Sequence, residues 1–194
     1  TPGESRDYDF TPRPGTHWMH SHIPVQEMQL LAAPLIVRRP EEVSEDRQEV
    51  VMFLHDFSFT PPEEILAGLG GGMAGMDHAM HGMSGSEGGM GMMGMDMSGM
   101  DMGAMGGMAM DLNDIAFDAY LANDRTLNDP EVTTVEAGGR VRLRIINAAA
   151  ATVFWIDTGA VEATLVAVDG EPVQPLKGRR FGVAMAQRID LLLD

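Results

Sequence analysis

Hydrophobic and polar positions along this chain repeat with the period of strands far more often than with that of helices. From Glu49 a strongly apolar run passes through Val50-Val51-Met52-Phe53-Leu54 to Phe57 and predicts a strand. Arg140-Val141-Arg142-Leu143-Arg144-Ile145 alternates with period two, which predicts a strand with one buried and one solvated face. Tyr8-Asp9-Phe10 alternates too, and Pro12, Pro14 and Gly15 then signal a turn before the stretch from Thr16 to His22. Pro34-Leu35-Ile36-Val37 reads as a short strand, followed by a charged linker from Arg38 to Gln48. Further strands are predicted over 117–121, 132–135, 140–147, 153–157, 164–168, 180–183 and 187–193, with Gly138-Gly139 and Asp169-Gly170 as turns between them. Pro61-Pro62-Glu63-Glu64-Ile65-Leu66 reads as a single helical turn with proline at an early position. Many short strands and no long helix predict an all-β chain folded as a Greek-key sandwich or barrel.

Composition breaks this pattern once. From Gly68 to Met110 the sequence is nearly all Gly, Met, Ala, Ser and Asp, with His78 and His81 inside it. Ordering glycine costs the most backbone entropy, so helix or strand is not expected here. A low-complexity insert over 68–111, disordered without metal, is the expectation.

The formal charge of −16 argues against a nucleic-acid partner, which needs clustered Lys and Arg. With no cysteine, the chain has no disulfide, thiolate zinc site, iron–sulfur cluster, thiol nucleophile or blue copper site of its own. No apolar run approaches the length of a membrane span, and no signal-peptide pattern is present. Thr1-Pro2-Gly3-Glu4-Ser5 opens as a turn and Arg188 to Leu193 stops inside a strand, so both ends are expected to be truncations of a longer protein.

The most informative stretch is Gly15-Thr16-His17-Trp18-Met19-His20-Ser21-His22. On an extended strand, residues two apart project to the same face, so His20 and His22 point together, roughly 6–7 Å apart along the chain. That spacing suits one imidazole on each of two neighbouring metals. His17 has the opposite parity and faces away. Imidazole serves copper, zinc, iron and nickel alike, so spacing does not choose the metal. His55, at a strand end, is read as structural.

Followed by Gln26 and by Pro34-Leu35-Ile36-Val37, the Gly-Thr-x-Trp-x-His-Ser-His stretch closely resembles the second copper motif of the multicopper oxidases. That motif closes the first cupredoxin domain, and the resemblance implies that His20 and His22 each bind one copper of the type 3 pair. The family usually has an aromatic where His17 stands and glycines shortly before the Pro-Leu-Ile-Val strand, where this chain has Leu30 and Ala33. Tyr120 to Thr126, Gly138 to Ala148, Val168 to Val173 and Ala186 to Asp190 resemble the second domain of the same family.

The resemblance therefore implies two cupredoxin-like parts: 1–40, the end of domain 1, and 41–194, a domain 2 truncated at its end and carrying the insert. It also implies a type 2/type 3 trinuclear copper cluster and a type 1 copper in the intact protein. Dioxygen would be reduced to water by electrons from Cu(I) or a phenolic or other organic donor, and the setting would be periplasmic. The family's other motifs, an HxHG and late cluster and type 1 ligands, are absent here, so this stretch alone is expected to be inactive toward dioxygen.

The insert has its own chemistry. Met73, Met76, Met80, Met83, Met90, Met92, Met93, Met95, Met97, Met100, Met102, Met105, Met108 and Met110 recur every few residues among glycines. Thioether sulfur is a soft ligand that prefers Cu(I), and His78 and His81 add imidazoles beside it. Core packing is the ordinary use of methionine, but so glycine-rich a segment has no regular face to bury. Cu(I) binding by the insert is thus expected, and a non-enzymatic Cu(I)-buffering protein is the alternative to an oxidase.

Overall fold

A computed structural model describes residues 3–23, 25–69 and 115–194. The chain divides into two compact units, 1–58 with 117–194, and 59–116. In the second unit, the turn expected near Pro61 is a helix over 62–69.

The first unit is built from strands. Strands β1 (Gly15–His20) and β2 (Ala32–Val37) form an antiparallel hairpin, and the helix α1 (Pro40–Ser44) follows. The remaining strands are β3 (Gln48–Phe57), β4 (Ala119–Ala122), β5 (Val141–Asn147), β6 (Phe154–Asp157), β7 (Ala163–Val168), β8 (Glu171–Gly178), β9 (Arg180–Val183) and β10 (Arg188–Leu193). Six of them form one sheet in the order β4-β3-β5-β10-β7-β8, and β6 pairs with β9 separately. All pairings are antiparallel except that of β3 with β5. β10 returns from the end of the chain to lie between β5 and β7. That return makes the topology a Greek key, as the sequence predicts.

The run from Val50 to Leu54 is apolar throughout because its strand is covered on both faces. Leu54 of β3 and Ile145 of β5 join Ile189, Leu191, Phe181 and Val183 in a core between the large sheet and the β6–β9 pair. Their immediate neighbours Phe53 and Ile146 point the other way and pack with Ala148, Trp18, Ala32 and Ile36, the last three from the β1–β2 hairpin. Asn147 ties the two sheets, donating to the carbonyls of Thr152 and Val183. The β3–β4 hairpin is closed at its base by Asp118 N–H donating to Phe57 O and by Ser58 Oγ donating to Asp118 at 2.8 Å.

Several expectations are corrected. Segments 8–10 and 132–135 alternate as strands do but join no strand ladder. Conversely, β8 was unforeseen, because Pro172 and Pro175 mask an exposed edge strand, the position where proline is tolerated. The supposed linker from Arg38 to Gln48 contains α1, started by Pro40 and capped by the Glu42 carboxylate on the Arg39 amide. Most consequential, the arginine face of β5 is not solvated: Arg142 and Arg144 are buried.

Candidate metal centre

The hairpin carrying the histidines is fixed to the large sheet by charge as well as by apolar packing. Arg144, fully buried, donates to Asp190 at 2.7 Å, to Glu49 at 2.7 Å, to Glu42 at 2.9 Å and to Thr16 of β1 at 3.0 Å. Thr16 in turn donates to Asp190. Burial opposes the charge on Arg144, but its hydrogen bonds to Glu49 and Glu42 and the charge of Asp190 hold its pKa above the ordinary value. Burial likewise works against the Glu42 carboxylate, yet the Arg39 amide, Arg144 and Arg142 together hold it below the usual range. Asp190 is pushed up by burial in spite of Thr16 and the two arginines.

At the other end of β1 the start of the strand meets the β7–β8 turn. Gly15, at φ +135°, passes so close that a Cβ there would lie 2.3 Å from Gly170 O. A Cβ on Gly170, itself at φ +83°, would lie 2.6 Å from His17 Cε1. Both positions therefore require glycine. His17 is spent on this contact, its Nε2 lying 3.1 Å from Arg13 O, and it takes no part with His20.

His20 and His22 do converge. Their ring centroids are 4.6 Å apart at 37°. This is tighter than the backbone spacing suggests, because β1 ends at His20 and the chain then turns instead of continuing to rise. Trp18, two residues back on the same face, stacks on His20 at 4.1 Å and 14°, and it meets Phe53 edge-on. The loop that follows is latched by Ser21 Oγ donating to Gln26 at 2.6 Å and by Leu31 N–H donating to Gln26 O. Leu30 adopts φ 61° and makes a left-handed turn there. That loop brings Glu27 Oε1 to 2.8 Å from His20 Nδ1. Glu27 was not foreseen; the only signal was an acidic residue a few positions after the histidines.

Two imidazoles and a nearby carboxylate suit a borderline metal such as copper, with the ring nitrogen away from Glu27 free to bind. Among the described residues no group of three or more His, Cys, Asp or Glu side chains is gathered so as to hold a metal ion by itself. His55 is buried in β3 against Phe53, and burial, against the charges of Asp124, Asp56 and Glu27, lowers its pKa. His78, His81 and the methionines from Met73 to Met110 lie outside the described residues.

Comparison with known proteins agrees with this architecture. The multicopper oxidase family model matches residues 85–194, more than half of the chain, and the chain belongs to that family. It is 30% identical, over 99% of its length, to multicopper oxidase MmcO of Mycobacterium tuberculosis and covers 36% of that protein. Copper resistance protein A of Escherichia coli is 27% identical over 93% of this chain, which covers 31% of it. The chain thus spans about a third of these relatives. Among solved structures, blue copper oxidase from Nitrosomonas europaea superposes with TM-score 0.60 at 22% identity, over 94% of this chain and 46% of the other. Fet3p, a multicopper oxidase of iron import, gives TM-score 0.67 at 15% identity, over 93% and 27%. The all-β, cupredoxin-like fold is therefore shared with enzymes that carry copper, and no helix among the described residues is long and apolar enough to cross a membrane.

Proposed function

We propose that the chain is part of a periplasmic oxidase that draws single electrons from a donor and reduces dioxygen to water. Residues 1–40 would close a first cupredoxin domain and 41–194 form most of a second. In this reading His20 and His22 are type 3 copper ligands, and the rest of the parent supplies the other ligands of the trinuclear cluster and the type 1 copper. Bound copper would supply the redox chemistry; the part played by this chain is to hold two imidazoles side by side on a rigid hairpin. The observation that carries the reading is the convergence of the two rings at 4.6 Å in a member of this family.

The donor is Cu(I) or a small organic molecule such as a phenol, and the methionine-rich insert favours Cu(I). The decisive experiment uses the full-length parent. H20A and H22A are each expected to abolish oxygen uptake while leaving the blue type 1 absorption in place. Uptake that persists in both variants overturns the assignment. Replacing the insert methionines by serine is expected to remove Cu(I) binding and to spare oxidation of a phenolic donor. If Cu(I) binding survives, the insert has another role.

A further inference from the structure

The loop after β1 sets a carboxylate against one nitrogen of the histidine pair. Glu27 opens the short 3-10 turn Glu27–Gln29, and Oε1 lies 2.8 Å from His20 Nδ1. That nitrogen is buried, and the carboxylate stands out of line for a hydrogen bond. The Glu27 side chain, a third exposed and already at 2.8 Å, has room to turn toward that nitrogen. His20 has little freedom to move instead, because Trp18 covers its ring at 4.1 Å and His22 approaches it at 4.6 Å. The backbone ahead of Glu27 is fixed by the Ser21–Gln26 bond and by two amides, Leu30 donating to Glu27 O and Leu31 to Gln26 O. A polar group is thus delivered by a latched loop to a nitrogen that water does not reach.

We infer that Glu27 is a positioning residue: it holds His20 with its proton on Nδ1, leaving the Nε2 lone pair as the one donor offered to a metal. A carboxylate on the far nitrogen fixes the tautomer and ring orientation of a ligating histidine and makes the other nitrogen more basic. The tautomer follows from this chain alone; the consequence for metal binding rests on reading His20 as a copper ligand.

The test uses the whole chain with nitrogen-15-labelled histidine. Long-range proton–nitrogen correlations at about pH 8, above the ordinary histidine range, show which nitrogen of His20 is protonated without metal. Zinc titrated into the same sample is followed at the separate ring signals of each histidine, so that His20 and His22 are read apart from His78 and His81, while the thioethers, which favour Cu(I), compete little. The wild-type chain is expected to carry the proton on Nδ1. In E27A the proton moves to Nε2 and zinc affinity at His20 falls about 10- to 100-fold. E27Q, which keeps an acceptor of the same length and covers the case in which E27A does not fold, retains the Nδ1 proton and part of the affinity.

A proton on Nε2 in the wild-type chain overturns the inference, as does an E27A spectrum identical to wild type. Weakened zinc binding with an unchanged tautomer also overturns it, because a merely structural role would give that result. A tautomer that follows Glu27 with no zinc response at His20 in any variant upholds the positioning role and overturns instead the assignment of His20 as a ligand.

Discussion

On one face of the large sheet, Ile145, Ile189 and Leu191 meet Phe181 and Val183 in an apolar layer. On the other, Arg142, Arg144 and Asp190 of the same strands meet Thr16, Glu42 and Glu49. Apolar packing is graded, since the loss grows with the methylenes removed and with the cavity they leave. A buried ionic cluster is closer to all-or-none, because every charge depends on partners that have also left water. The second kind of face gives the hairpin one seating on the sheet, and through Thr16 that seating sets where β1 delivers His20.

Breaking the ionic face should have the largest effect. Arg144→Ala leaves Asp190, Glu42 and Glu49 without their shared partner and is expected to cost about 3–5 kcal/mol by urea denaturation. Arg144→Lys should rescue little, as one ammonium cannot reproduce the forked contacts. A loss below about 1 kcal/mol would show that the cluster contributes nothing to stability. On the apolar face, Leu191→Ala should cost about 2–5 kcal/mol through the cavity it opens, whereas Leu191→Met, close in volume, should cost less than about 1.5 kcal/mol. If both substitutions cost the same, the layer is not close-packed.

Smaller effects sharpen the contrast. Thr16→Val keeps the shape but removes a hydroxyl that bonds both Arg144 and Asp190, for an expected loss of about 1–3 kcal/mol. The final test is pH. Glu42 titrates lower in the folded chain than its ordinary value of 4.5, so its contribution is full above that value and is lost as pH falls through the lowered one. Asp190, shifted upward, works in the opposite sense. Glu42→Gln should therefore flatten the acid loss of stability below about pH 4.5, and an acid limb identical to wild type would remove Glu42 from the account.

Much of this was legible in the sequence, and the failures share a cause. The apolar run of β3, the alternation of β5 and the Asp169-Gly170 turn, with φ 52° and 83°, could be read because each is a local property. The histidine pair was legible as a spacing, and its nearness to Glu27 was not, since that depends on how the loop folds back. The arginine alternation of β5 looked solvated because pattern alone cannot reveal what covers a face. Residues 132–135 show the converse: a segment fit to be a strand becomes one only where an edge is available to it. Proline at 172 and 175 hid β8 because proline is discouraging in a central strand and harmless at an edge.

The closed base of the β3–β4 hairpin bears on the history of the family. Strands β3 and β4 are held together by their own ladder and by the Ser58–Asp118 bond, whatever lies between them. Closing a longer connection costs only about 0.6 kcal/mol for each doubling of its length. Evolution can therefore lengthen, shorten or exchange the methionine-rich segment at this junction almost independently of the scaffold. The segment is in this sense a cassette, exchangeable with no redesign of the strands that carry it.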